Sequence, residues 1–81
     1  MRKVAIKLKN SYELDGKKVD TLEMRPLKVK DMKLAFKQTE DDFERDVVLS
    51  SNLCDVPQAF IENLEWIDYR KVNEQLKDFL A

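Results

Sequence analysis

Histidine is absent from this chain, glycine and cysteine occur once each, and proline twice. Each scarcity removes a class of chemistry. Without histidine, the commonest general base and metal ligand is missing. Cys54 has neither a histidine nor a second thiol to complete a zinc site, a cysteine–histidine nucleophile or an internal disulfide. A single glycine, Gly16, cannot build the phosphate-cradling loops that need two or three. Apolar runs extend only a few residues, far short of the roughly 20 that a helical bilayer span requires. Met1-Arg2-Lys3 is not followed by the apolar stretch of a signal peptide. The sequence therefore predicts no enzyme, no cofactor, no metal and no membrane partner. A lone thiol with no export signal fits a reducing cytoplasm.

What is present divides into two halves of opposite character. The 81 residues predict one domain, 1–81, with a β-hairpin over about 3–25 and a helical part over about 28–80. A chain this short buries only about 60–65% of its unfolded surface, and its net stability is expected at roughly 4–12 kcal/mol. Residues 1–37 carry eleven Lys/Arg against five Asp/Glu, and residues 38–81 carry four against eleven. The net charge of −1 thus hides a basic half at +6 and an acidic half at −7. Such polarity favours contact between the basic end of one copy and the acidic end of another. Nucleic acid is the other partner a basic half can attract, but no aromatic platform or arginine cluster accompanies these lysines. Lysines on a sheet edge also keep it from pairing with other chains.

In the first half Val4, Ile6 and Leu8 alternate with Lys3, Lys7 and Lys9, as in a strand with one buried face. Asp15-Gly16 is a two-residue hairpin signal, since a type I′ turn needs positive φ. That turn pairs Leu14 with Lys17 and Tyr12 with Val19. Continued without interruption, it sets Leu8 opposite Glu23 and wastes the apolar face. Two solutions remain open. One extra residue at Asn10-Ser11, a bulge facing Asp20, sets Leu8 against Leu22 and Ile6 against Met24. Alternatively, the turn has three residues and there is no bulge. The bulged register turns Tyr12, Leu14 and Val19 to the face away from the helices. There they would form an apolar patch ringed by Glu13, Lys17 and Lys18, a candidate partner site.

Pro26 ends the strand ladder. Val29, Met32, Ala35 and Phe36 then recur at helical spacing, with Asp31 in the first turn and the poor cap Lys28 before it. Thr39 reads as the cap of a second helix whose first turn holds Glu40, Asp41 and Asp42, a helix start rather than a calcium loop. Its Val47, Val48, Leu49 and Leu53 spread around the cylinder, as in a helix covered on several sides. Ser50 and Ser51 lack an activating base and read as close-packing residues. Pro57 opens a short third helix with Phe60, Ile61 and Leu64 on one face. Taken as a recognition helix, the Pro57–Asn63 segment carries Glu62 and no arginine or lysine, which argues against a helix-turn-helix. From about Trp66 to Leu80, a stripe of Trp66, Tyr69, Val72, Leu76, Phe79 and Leu80 predicts a last helix whose apolar face either joins the core or fills a partner's groove. Ile67 departs from that stripe and is a second candidate partner contact.

The order of these features resembles that of the small tail assembly chaperones of contractile-tailed bacteriophages and related prophages. The likeness is carried by Leu22-x-Met24-Arg25-Pro26 with Asp31 after it, the Val47–Leu53 segment, Pro57, Phe60 and Leu64, Asp68-Tyr69, and the terminal Phe79-Leu80. This chain has Ser11 where the family often has proline, Lys28 where it has a small hydroxyl residue, and Cys54 where it has glycine. The resemblance implies an α+β fold, an N-terminal hairpin followed by a bundle of about four short helices. It also implies a non-enzymatic protein of the bacterial host cytoplasm. Such a protein would coat the phage tape-measure protein and keep it soluble until tail-tube subunits polymerise round it. It would act stoichiometrically, often as an oligomer, and in many cases alongside a longer frameshifted form. The competing functions are a small nucleic-acid-binding regulator using the basic hairpin, and an adaptor or inhibitor docking on a host protein.

Overall fold

The computed structural model describes residues 2–81. In chain order they form strands β1 (Val4–Leu14) and β2 (Lys17–Met24), then helices α1 (Val29–Gln38), α2 (Asp42–Cys54), α3 (Gln58–Glu62) and α4 (Trp66–Leu80). This is the α+β arrangement the sequence predicts: a two-stranded antiparallel hairpin followed by helices.

The turn sits at Asp15-Gly16, with φ of 52° and 77°. Two consecutive positive values are what a type I′ turn demands, and glycine supplies one of them without strain. A Cβ added at Gly16 would meet nothing within 4 Å, so substitution there costs backbone strain alone. Beyond the turn, Leu14 pairs with Lys17 and Tyr12 with Val19, as expected.

Further on, the structure departs from both anticipated registers. Ile6 faces Leu22 and Val4 faces Met24, so the residues 8–11 lie opposite Asp20 alone. The irregularity is larger than one extra residue. Its phase break also falls on the other strand. Along β1 the even-numbered side chains stay buried or half-buried through to Leu14, whereas in β2 Asp20 and Thr21 are both exposed between Val19 and Leu22. Tyr12, Leu14 and Val19 therefore do not turn away from the helices. They pack against the core as half-buried residues.

α2 is the central helix, touching β2, α1, α3 and α4. It buries Val47, Val48, Leu49, Ser50, Ser51, Leu53 and Cys54, the multi-sided coverage and serine packing that its sequence implies. Its cap is Asp41 rather than Thr39: the Asp41 carboxylate accepts from the Glu44 amide at 2.8 Å, and Thr39 closes α1 instead. Several adjacent residues here can cap, and the position is decided by where α1 ends. At the other end, Asp55 adopts the left-handed conformation (φ 57°), and the Val56 amide reaches back to the Ser51 carbonyl at 3.0 Å. The helix end is thus well closed without a glycine, because aspartate tolerates that region.

The core joins Ile6, Leu8, Leu22 and Met24 of the hairpin to α2, to Phe60, Ile61 and Leu64, and to Tyr69, Val72 and Leu76 of α4. The stripes on α1 and α4 extend beyond it. On α1 only Asp31 and Ala35 are buried, while Val29 is 84% and Phe36 55% exposed. On α4 the first residue of the stripe, Trp66, is 61% exposed, and Leu80 is exposed too. Helical periodicity states which side chains share a face, not how far the covering surface reaches.

Candidate functional site

Two buried carboxylates stand out, Asp31 and Asp68, each the third residue of its helix and each reaching back to the hairpin. Arg25 donates to both Asp31 oxygens, at 2.9 and 2.8 Å, and the Lys28 amide donates to the same carboxylate at 2.8 Å. Because lysine has no side-chain acceptor, this is half of a capping box. The Arg25 amide meanwhile donates to the Leu53 carbonyl at 3.1 Å, hooking the end of β2 to the end of α2. The Arg25 guanidinium outweighs burial and, with the Lys28 amide, holds the Asp31 carboxyl at about 2.

Asp68 fills the hairpin irregularity. Its oxygens accept from the Lys9 amide at 2.6 Å, the Asn10 amide at 3.2 Å and the Asn10 Nδ2 at 3.1 Å. The Tyr12 hydroxyl also donates to it, and itself accepts from the Glu65 amide at 3.1 Å. These backbone amides lie in the stretch of β1 that has lost its one-to-one pairing with β2, so α4 supplies their acceptor. Burial pushes the Asp68 carboxyl up, but the Tyr12 hydroxyl and the Lys9 and Asn10 donors together bring it down to about 2. Burial also raises the Cys54 thiol to about 12. Carboxylates this acidic and a thiol this basic are suited to holding structure, not to moving protons at neutral pH.

The four residues expected to meet a partner are therefore differently placed. Tyr12 points inward, its ring edge-on to Phe60 with centroids 5.9 Å apart. Leu14 and Val19 line a shallow groove of about 450 Å³ that runs to Cys54 and Val56 at the end of α2. Ile67 is 41% exposed, on the first turn of α4 beside Trp66.

A different surface gathers large apolar side chains that no described residue covers. Phe43, in the first turn of α2, stacks on Tyr69 at 5.6 Å and on Trp66 at 6.1 Å, both from the first turn of α4. Tyr69 is buried beneath the group, but Phe43 is 55% and Trp66 61% exposed. Clefts of about 250 and 170 Å³ flank the three rings, and among the described residues their polar lining includes Asp46, Glu62 and Glu74 against one cation, Arg70. Nearby, the Arg45 guanidinium lies 3.9 Å over the Phe36 ring and bonds Asp42 at 2.8 Å, joining α1 to α2. The site is thus an aromatic face with an acidic rim. In the sequence Trp66 belongs to the apolar stripe of the last helix, and Phe43 carries no signal of its own. Only their shared position, at the N-terminal ends of two neighbouring helices, makes them a surface.

The model of a family described as phage tail assembly chaperone proteins, E, or 41 or 14, matches residues 5–81. Comparison with curated proteins and with solved structures gives no match.

Proposed function

The chain belongs to the phage tail assembly chaperone family, and on that premise we propose that it binds the tape-measure protein and keeps it soluble during tail assembly. The family match over nearly the whole chain carries this reading. The protein acts stoichiometrically and without catalysis, in the cytoplasm of the bacterial host. Aromatic side chains held half in water on a stable frame support the reading, since a chaperone needs apolar surface that engages and releases. So does the chemistry of the two buried carboxylates, Asp31 and Asp68, which are committed to the fold. Self-association is part of the proposal, the basic hairpin of one copy meeting the acidic helices of the next.

Co-expression with the tape-measure protein of the same phage or prophage is the test. The expected result is a soluble tape-measure protein that co-purifies with this chain. A tape-measure protein that is equally soluble alone, or insoluble in both cases, contradicts the reading. For self-association, sedimentation should show oligomers that dissociate as salt rises, because exposed charge pairs are screened. A monomer at every ionic strength removes that part.

A further inference from the structure

We propose that the aromatic face formed by Phe43, Trp66 and Tyr69 docks a cationic apolar segment: a large aliphatic or aromatic side chain flanked by lysine or arginine. The inference rests on the chaperone reading and adds to it the chemistry of the partner. Three observations select that occupant. The stacked rings leave Phe43 and Trp66 half in water, and tryptophan in particular concentrates binding energy when such a surface is covered. Clefts on either side of the rings are large enough for one side chain each. The rim then sets the sign of the charge.

Among the described residues, Asp46, Glu62 and Glu74 line these clefts against one lining cation, Arg70, and Asp46 is in turn shared with Lys77. Two further cations of the chain are engaged within it. Arg45 is folded onto Phe36 and Asp42, and Lys77 lies 3.9 Å from Asp46. The exposed ring faces attract cations through their quadrupoles, in addition to the carboxylates. Acidic segments and phosphate backbones are repelled by the same rim.

Trp66 is the chain's one tryptophan, so its emission reports the site directly. The probes are two synthetic amphipathic peptides with the same leucine and phenylalanine core, one flanked by lysines and the other by glutamates. The lysine peptide should shift Trp66 emission to the blue in a saturable way, at least tenfold more tightly than the glutamate peptide. Phe43→Ala should abolish the shift while circular dichroism stays that of the folded chain. A Glu62→Lys, Glu74→Lys double variant, altered only at exposed positions, should reverse the peptide preference. Equal response to both peptides, no response to the lysine peptide, or a response unchanged by Phe43→Ala overturns the proposal. A concentration-dependent blue shift without peptide also overturns it, because a second copy is then the occupant. Failure here is distinguishable from failure of the chaperone reading. If wild type and Phe43→Ala both keep the tape-measure protein soluble, the chaperone reading stands and this face is not its site.

Discussion

Two regions of this protein carry apolar side chains beyond what the central core requires, and they are held differently. At the hairpin tip Tyr12, Leu14 and Val19 are drawn onto the body, with the Tyr12 hydroxyl placed between the Asp68 carboxylate and the Glu65 amide. At the ends of α2 and α4, Phe43 stacks on Tyr69 and Trp66, and Phe43 and Trp66 stay more than half exposed among the described residues. The first region has a polar anchor at Tyr12, beside which Leu14 and Val19 pack half-buried against the core. The second has none on its outer side. Anchoring, more than the number of apolar side chains, separates a surface belonging to the fold from one open to a partner. Substitutions at the tip should therefore read out as stability, and substitutions on the aromatic face as binding.

The largest effect is expected from Asp68→Ala, which removes the acceptor of two backbone amides, the Asn10 side chain and the Tyr12 hydroxyl. Leaving several donors poorly satisfied should cost about 3–5 kcal/mol, measured by urea unfolding. A loss below about 1 kcal/mol would mean that water replaces the carboxylate readily and the tip is not anchored.

Acid should expose the same anchors without mutation. Asp31 and Asp68 titrate at about 2 in the folded chain, against about 3.9 for an unfolded aspartate. A depressed folded value means that the contribution is complete above about pH 4 and is lost as the pH falls from about 4 towards 2, on the order of 2 kcal/mol for each group. Unfolding midpoints taken from pH 7 to pH 2 check this. A stability that is flat across that window contradicts both anchors.

These carboxylates also mark how far the sequence could be read. The turn at Asp15-Gly16, the extent of α4 and the many-sided burial of α2 follow from local patterns, because glycine chemistry and helical periodicity act within a few residues. The register does not. It depends on Asp68 accepting from the Asn10 amide 58 residues away, and strand alternation fixes only parity, leaving one or three extra residues equally compatible with an inward Ile6 and Leu22. Asp31 was legible as a helix-start carboxylate, but its pairing with Arg25 across Pro26 was not. The aromatic face is only partly legible, since the α4 stripe allows a partner-facing surface without saying which of its residues form one. Trp66 continues an apolar stripe on paper, and only the assembled fold shows that the covering surface stops before reaching it.

A smaller change probes the tip anchor alone. Tyr12→Phe keeps the ring against Phe60 but removes the hydroxyl between Asp68 and Glu65. It should cost about 2 kcal/mol in thermal or chemical unfolding, the scale of one hydrogen bond to a charged group. No change would show that the ring alone holds the tip.

Phe43→Ala should have the least effect on stability, about 1 kcal/mol, since the side chain is half exposed and loses mainly its stacking on Trp66 and Tyr69. The same denaturation measurement applies. A loss comparable to that of Asp68→Ala would make the aromatic face part of the core and erase the contrast between the two regions.

Hydrogen exchange of the chain, free and in complex with its tape-measure protein, tests that contrast most directly. Added protection is expected in the first turns of α2 and α4, around Phe43 and Trp66, with residues 12–19 of the hairpin unchanged. Protection confined to residues 12–19, with the α2 and α4 ends exchanging as in the free chain, would contradict it.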